Sequence, residues 1–212
     1  MLKSATRTIQ NSFAIRIIAG FLLAFVVLLI ICLLSSSIQT IDDIVQSRIQ
    51  TIASPSFTEA LRIATQLGST LVLFIVGAVA VCIFAALRRW REVGLFLLAM
   101  AGQVVLHYGF KTLCARERPK PLYDFVMGDS YSFPSGHALA SLSVYGMLCW
   151  LLSRRLRLKS MKACVWMATF FVVFVIGFSR VYFNVHYASD VIAGFVAAFI
   201  WTAAVASSDT GS

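Results

Sequence analysis

Charged residues are scarce in this sequence. Asp, Glu, Lys and Arg make up 13% of the 212 residues, about half the share usual in soluble domains, whereas 59% of the residues are hydrophobic and the mean hydropathy is +0.86. A soluble fold of this length could not bury so much apolar surface. The composition therefore excludes an ordinary soluble enzyme and indicates that lipid is the main solvent of the chain.

The sequence also lacks the patterns that accompany disulfide frameworks, metal sites and repeat folds. The five cysteines form no CxxC pair, and we interpret them as small hydrophobic residues in helix packing that report no redox compartment. No acidic cluster suited to Mg²⁺ and no repeat of 20–50 residues is visible. We therefore expect one membrane-embedded domain over residues 1–212, without a metal or other cofactor. The cysteines are Cys32, Cys82, Cys114, Cys149 and Cys164.

Six apolar runs predict an all-α, polytopic membrane protein with six transmembrane helices. A spanning helix needs about 20 mostly apolar residues and pairs its backbone polar groups internally. The first three runs reach that length, whereas the last three need flanking residues to cross. No convincing cleavage site follows the first run, so we expect a retained span rather than a signal peptide. The runs are Ile17–Leu34, Ile63–Leu87, Val93–Phe110, Ala138–Ser153, Ala163–Ser179 and Val191–Ala206.

The excess positive charge lies on one side of these predicted spans. With a cytoplasmic N-terminus, the inner segments hold eleven basic residues against Glu92 and Asp209, whereas the outer segments hold seven basic and seven acidic residues. This asymmetry accounts for the net charge of +9 and follows the positive-inside rule. Both termini are therefore predicted to be cytoplasmic, and nucleic-acid binding is not needed to explain the charge. The inner basic residues are Lys3, Arg7, Arg16, Arg88, Arg89, Arg91, Arg154, Arg155, Arg157, Lys159 and Lys162.

The segment 35–62, between the first two runs, is too polar to cross a membrane. Isoleucine and valine recur in it at helical spacing, interleaved with Asp42, Asp43 and Arg48. The pattern predicts a short amphipathic helix, which either lies on the outer membrane surface or packs as an ordinary outer helix. The sequence alone leaves both alternatives open. The apolar positions are Ile41, Ile44, Val45, Ile49 and Ile52.

Two outer loops contain the residues suited to binding an anion. Lys111, Arg118 and Arg180 supply three cations, and the guanidinium groups match phosphate oxygens two at a time. Ser135 and Gly136 directly precede the fourth run, where we expect the serine to cap the helix and the glycine to let the backbone approach a ligand closely. The free N–H groups of such a helix start attract anions.

The same loops contain a possible nucleophile and its partners. His186 and Asp190 lie four residues apart at the entrance to the sixth run, hence on one face of a helix. A carboxylate there would keep one imidazole nitrogen protonated and leave the other free to attack. His137, at the start of a different helix, is placed to act as an acid and then as a base. A lone histidine or basic residue near a membrane boundary is usually structural, but this combination is difficult to explain by packing.

These residues resemble the three-part signature of the type 2 phosphatidic acid phosphatase family. The chain contains Lys-x6-Arg-Pro, Pro-Ser-Gly-His and Ser-Arg-x5-His-x3-Asp within residues 111–190, with every specified position present. The signature positions are Lys111, Arg118, Pro119, Pro134, Ser135, Gly136, His137, Ser179, Arg180, His186 and Asp190. The six-helix pattern extends the similarity to nearly the whole chain.

The resemblance implies a metal-independent reaction through a phosphohistidine. It implies that His186 attacks phosphorus, that Asp190 orients it, and that His137 protonates the leaving oxygen and then activates water. The phosphoryl oxygens would be held by the remaining site residues. Those residues are Lys111, Arg118, Ser135, Gly136 and Arg180.

Several activities are compatible with this signature. The first is hydrolysis of a lipid phosphate or diphosphate, with undecaprenyl diphosphate our first choice and phosphatidylglycerol phosphate or related lipids next. The second is transfer of the phosphoryl group to a lipid acceptor. The third is a noncatalytic lipid-phosphate receptor or transporter, against which His137, His186 and Asp190 argue because a binder needs no nucleophile. We expect a bacterial inner-membrane enzyme whose site faces the periplasm or exterior and which needs no obligate protein partner.

The sequence does not decide the roles of two groups of residues outside the signature. Gln103 and His107 share one face of the third run with Lys111, and helix–helix hydrogen bonding is the commoner explanation for such intramembrane polar residues. In the loop that follows, several polar and aromatic residues either contact substrate or only fold the loop. They are Tyr123, Asp124, Asp129 and Tyr131.

Overall fold

The computed structural model describes residues 2–123 and 130–209, with residues 2–11 as backbone only, and these ranges contain helices and no strand. The predicted all-helical fold is confirmed. The helices are α1 (Leu2–Leu34), α2 (Gln39–Gln50), α3 (Pro55–Gln66), α4 (Thr70–Ala86), α5 (Trp90–Cys114), α6 (Gly136–Ser153), α7 (Lys159–Tyr182) and α8 (Ala188–Ser208).

Five of these helices are long and apolar enough to cross a membrane: α1 over Ser12–Leu34, then α5, α6, α7 and α8. Helices α3 and α4 meet the same test only as a pair, bent by 43°. The predicted continuous span Ile63–Leu87 is therefore interrupted. Helix α3 ends at Gln66, and the Ser69 hydroxyl accepts a hydrogen bond from the Val72 N–H (3.4 Å) to cap a new helix. The short last runs gain flanking residues as expected.

Helix α8 lies at the centre of the bundle, against α1, α5 and α6. Trp201 is 2% exposed, and its Nε1 donates to the Ala99 carbonyl on α5 at 2.9 Å. A Cβ on Gly102 would lie 2.2 Å from the Trp201 ring, so the absence of a side chain there lets α5 approach α8 closely. This contact fixes the position of α5, which carries Lys111 of the first signature loop, relative to α8, which carries Asp190 of the second.

Helix α2 is the helix predicted between the first two spans, but only part of its apolar face packs against the bundle. Val45 and Ile49 pack against residues of α6, α7 and α8, whereas Ile41 and Ile44 are exposed. The buried polar residues of α2 are Asp42 and Gln46. Helix α2 thus packs partly against the bundle and partly exposes apolar residues, and both alternatives stay predictions.

A disulfide joins Cys32 at the end of α1 to Cys114 at the end of α5, with 5.9 Å between the Cα atoms. The interpretation of all five cysteines as single packing residues is wrong for this pair. No spacing pattern marks this pair, because the two cysteines are 82 positions apart. Cys82, Cys149 and Cys164 are free.

Ion pairs lie at the opposite end of the bundle, where the basic loops meet. Asp209 forms salt bridges with Arg91 and Arg154, and Glu92 forms one with Arg155. The two acidic residues that the topology prediction placed on the inner side thus both pair with arginines predicted to lie on that same side.

Candidate active site

Arg118 joins the two signature loops. Its Nη1 donates to the Val185 carbonyl at 2.8 Å and lies 3.0 Å from His186 Nε2. On its other side, Nε donates to the Ser130 carbonyl at 2.6 Å and Nη2 to the Ser130 hydroxyl at 2.8 Å. The guanidinium therefore holds the segment after α5 against the turn between α7 and α8.

His186 is buried, and its two ring nitrogens have different surroundings. The backbone N–H groups of Val185 and His186 both donate to the Arg180 carbonyl, at 3.1 and 3.3 Å, which fixes the turn that carries the ring. Nε2 faces Arg118, and His186 lines a cavity of about 960 Å³. Nδ1 points away from Arg118, towards Asp190 and Ser132.

Asp190 lies on the Nδ1 side, but its Oδ2 is 3.8 Å from that nitrogen, beyond hydrogen-bond distance. The same oxygen accepts from the Ser132 hydroxyl and from the Tyr187 N–H (3.0 Å). Ser132 Oγ also lies 3.4 Å from His186 Nδ1. Ser132 therefore stands between the carboxylate and the imidazole, a residue that sequence analysis missed because it belongs to no signature.

Burial sets the charge state of the ring. Removal from water, reinforced by the neighbouring Arg118 cation and opposed by Asp190, lowers the pKa of His186 to about 3. The imidazole is consequently neutral at pH 7, with one ring nitrogen carrying a lone pair. A neutral imidazole is the form that can act as a nucleophile.

The three predicted cations line the same cavity as His186. Lys111 is 8% exposed and its Nζ donates to the Tyr131 carbonyl. Arg180 is 4% exposed and its Nη1 donates to Thr65 Oγ1 on α3 at 3.1 Å. Thr65 is a further residue that the sequence did not single out. The cavity thus gathers cations from α5, α7 and the loop after α5, as an anion site requires.

The start of α6 supplies Gly136 and His137 to the cavity. Within the described residues, the Ser135 hydroxyl makes no cap hydrogen bond, so the predicted side-chain cap is absent. Ser135 is fully buried and its N–H donates to the Asp190 carbonyl at 3.1 Å, which ties α6 to α8 behind the cavity. A Cβ on Gly136 would lie 2.7 Å from His107 Cε1, so the close approach required at this glycine is to a histidine ring.

The residues whose roles the sequence did not decide lie in two places, the cavity wall and the loop after α5. Gln103 and His107 line the cavity next to Lys111. Tyr123 stacks on Tyr182 with ring centres 5.6 Å apart, and the Tyr131 backbone holds Lys111, so both help to fold the loop. Asp124 and Asp129 lie outside the described residues.

The cavity continues from the cations into an apolar cleft between α4 and α5. Its polar end contains Lys111, Arg118, Arg180, His137 and His186. The cleft is lined by residues of α4 and α5, among them Leu73, Phe74, Gly77, Val81, Phe96, Leu97, Met100 and Val104. A molecule with an anionic head and an apolar tail matches this division.

The model of the PAP2 superfamily matches residues 92–210. The chain belongs to the PAP2 superfamily. It is 28% identical over 176 residues to phosphatidylglycerophosphatase B of Bacillus subtilis (strain 168), covering 82% of this chain and 86% of that protein. The prediction of an enzyme of the lipid phosphatase class is thereby confirmed.

Two solved structures share the fold. A crystal structure of a transmembrane PAP2-type phosphatidylglycerolphosphate phosphatase from Bacillus subtilis has a TM-score of 0.71 and 26% identity, over 89% of this chain and 94% of that one. The structure of Aquifex aeolicus LpxE has a TM-score of 0.55 and 24% identity, over 76% of this chain and 92% of that one, and at this identity shows the fold alone.

Proposed function

We propose that this chain hydrolyses a phosphate or diphosphate carried by a membrane lipid, through a phosphohistidine on His186 and without a metal. The observation that carries the proposal is the direction of His186 Nε2, which faces Arg118 (3.0 Å) at the cationic end of the cavity. The cations would hold the phosphoryl group while the neutral ring approaches phosphorus. Residues 1–212 act as one membrane-embedded domain in this proposal.

In the first step, the Nε2 lone pair forms a bond to phosphorus and the bond from phosphorus to the lipid oxygen breaks. His137, in the wall of the same cavity, donates the proton that the leaving oxygen needs. In the second step, His137 takes a proton from water, the water oxygen attacks phosphorus, and the P–N bond breaks. Inorganic phosphate leaves and Nε2 recovers its lone pair. Asp190 and Ser132 stabilise the ring from the Nδ1 side.

Charge on the phosphoryl oxygens is stabilised by Lys111, Arg118, Arg180 and the Gly136 N–H at the start of α6. Ser135 stays in the proposed phosphate-binding set: among the described residues its buried hydroxyl has no hydrogen-bond partner, and its N–H joins α6 to α8. Each cation comes from a different segment, so the phosphoryl group is held from several directions. Such positioning is the main contribution that proteins make to phosphoryl transfer.

The substrate tail would occupy the apolar cleft between α4 and α5, which favours a lipid over a soluble phosphate ester. Phosphatidylglycerophosphate is the first substrate to test, because the Bacillus relatives are named for it. Undecaprenyl diphosphate and phosphatidic acid complete the panel.

We further propose six spans, with the bent α3–α4 pair as one of them, in a bacterial inner membrane. Both termini would be cytoplasmic and the site would face outwards. The Cys32–Cys114 disulfide supports this orientation, because it lies at the same end as the site and disulfides persist in oxidising compartments.

Phosphate release from the lipid panel in detergent, with EDTA present, tests the proposal. We expect turnover of at least one lipid, inhibition by vanadate, and no turnover by His186→Ala that retains its helical content. Activity that depends strictly on Mg²⁺, or a folded His186→Ala with wild-type turnover, would contradict the mechanism. Product analysis with and without an added lipid acceptor separates hydrolysis from phosphoryl transfer to that acceptor.

A further inference from the structure

Helix α2 reaches the back of the active site through one carboxylate. Asp42 is 2% exposed although it lies on a short helix at the edge of the bundle. Its Oδ1 accepts from the Ser189 N–H at 2.9 Å, and its Oδ2 accepts from the Ser189 hydroxyl at 2.5 Å. Asp42 therefore caps the first turn of α8 from another helix, one residue before Asp190.

Arg116 connects this carboxylate to Asp190. Its Nη1 donates to Asp190 Oδ1 at 2.7 Å and to the Ser189 hydroxyl at 2.8 Å. Its Nη2 donates to Asp42 Oδ2 at 2.8 Å and to Gln39 Oε1 at 2.7 Å. One guanidinium thus bridges two buried carboxylates on different helices, a geometry that the planar fork of arginine provides and lysine does not.

Further contacts keep this bridge in one orientation. The Arg116 guanidinium lies over the Tyr187 ring, 4.0 Å from its centre. Gln46, on the same buried face of α2 as Asp42, donates to the His186 carbonyl at 3.4 Å. Helix α2 therefore contacts both Asp190, through Arg116, and the backbone of the attacking residue.

A buried ion pair adds little net stability, because the cost of removing two charges from water offsets their attraction. The arrangement here does fix the orientation of one group. Asp190 Oδ1 is held by Arg116, and Oδ2 by Ser132 and Tyr187, so the carboxylate cannot rotate without breaking hydrogen bonds at both oxygens. Its position relative to His186 is consequently set from α2.

We propose that Arg116 and Asp42 are positioning residues for the reaction: they fix Asp190 and, through it and Ser132, the ring of His186. Neither residue lines the cavity among the described residues, so neither is expected to contact the substrate. The inference rests on the proposed phosphatase function, and wild-type turnover in the same assay tests that function separately.

The test compares Asp42→Asn with Asp43→Asn, which changes the adjacent, exposed carboxylate of α2. Asp43 Oδ1 accepts from Gln39 Nε2 at 2.8 Å, and the asparagine oxygen can accept the same bond, so this control removes a charge without releasing Gln39. The reaction is phosphate release from dioctanoyl phosphatidic acid in detergent, with rates per folded enzyme. We expect Asp42→Asn to lower kcat about 10- to 100-fold, since small misplacements of a catalytic group have effects of this size, with KM changed less than about twofold. Asp43→Asn should match the wild type. Arg116→Lys should lower kcat less than Arg116→Ala.

A second measurement separates positioning from structural damage. The same substitution is then made in an Asp190→Asn background, and single-turnover rate constants are measured with enzyme in excess. There, Asp42→Asn should lower the rate constant less than about threefold, because its effect passes through Asp190. An equal loss in both backgrounds, or wild-type kcat for Asp42→Asn, would overturn the proposal. Where the charge variants do not fold, Gln39→Ala decides: it removes one Arg116 acceptor and no charge, and it should lower kcat severalfold at an unchanged unfolding temperature. Wild-type kcat for that variant would also reject the proposal.

Discussion

Ser132 offers a direct test of how His186, the proposed nucleophile, is oriented. Its hydroxyl donates to Asp190 Oδ2 and lies 3.4 Å from His186 Nδ1, so Ser132→Ala removes the group between carboxylate and ring. Asp190 keeps its bonds from Arg116 (2.7 Å) and the Tyr187 N–H (3.0 Å), so the loop should still fold. The variant therefore isolates one link in the chain of contacts.

The size of the effect follows from the charge on the acceptor. A hydrogen bond to a charged group contributes about 1.5–3 kcal/mol. Expressed fully in the activation barrier, that energy corresponds to a fall in kcat of about 10- to 150-fold. Binding should change little, because Ser132 is fully buried and, within the described residues, does not line the cavity.

The assay is initial-rate phosphate release with the best lipid of the panel, alongside the unfolding temperature in the same detergent. Ser143→Ala is the matched control, since it also removes a fully buried hydroxyl, but from α6 and away from the signature loops. A well-folded Ser132→Ala with wild-type kcat would refute the role of Ser132 as the link to Asp190. A similar loss of kcat in Ser143→Ala would show that any buried serine matters.

Three other predictions concern pH, the general acid and the topology. The pKa of His186 is lower in the folded state than in the unfolded state. Its titration therefore leaves the free energy of unfolding unchanged above about pH 6.5 and lowers it as the pH falls towards 3. Between pH 7 and 5, wild type should lose about 2 kcal/mol more unfolding free energy than His186→Ala, and equal losses would contradict this charge state. His137→Ala should slow phosphoenzyme formation, measured as a burst rate, about 100-fold or more with a lipid but less than tenfold with p-nitrophenyl phosphate. Equal losses with the two substrates would contradict the role of His137 as a general acid. Cysteine at Ala53, but not at Ser160, should react with an impermeant thiol reagent in intact cells without the native cysteines, and the reverse would invert the topology.

Much of the fold was predictable because the bilayer imposes simple rules. Apolar runs of sufficient length must be helices, and loop charges indicate orientation, so the spans could be found without tertiary information. The break at 67–69 was missed although Gly68 and Ser69 are residue types typical of a helix end and a new helix start, because the long apolar stretch that follows favoured a single span. The disulfide between Cys32 and Cys114 depends on two helix ends that meet only in three dimensions.

The signature residues were predictable for a different reason. The family signature holds its residues at fixed spacings along the chain, so Lys111, His137 and His186 could be read directly from the pattern. Supporting residues have no such constraint. Thr65 contacts Arg180 across 115 residues of sequence, and a hydroxyl on the amphipathic helix α3 gives no local indication of that contact.

Arg116 illustrates which functional residues can be identified from the sequence and which cannot. It sits inside the Lys-x6-Arg-Pro motif, yet at one of its unspecified positions, and its cationic side chain was counted only towards the charge of the outer loops. Its partner Asp42 was taken for the polar face of an amphipathic helix, because helical periodicity separates polar from apolar residues and cannot distinguish water from a buried arginine as the neighbour. The structure places the two 2.8 Å apart and both against Asp190 or its neighbour Ser189. The residues proposed to contact substrate can therefore be read from the motif, whereas those that hold the motif in place are found only from the tertiary contacts.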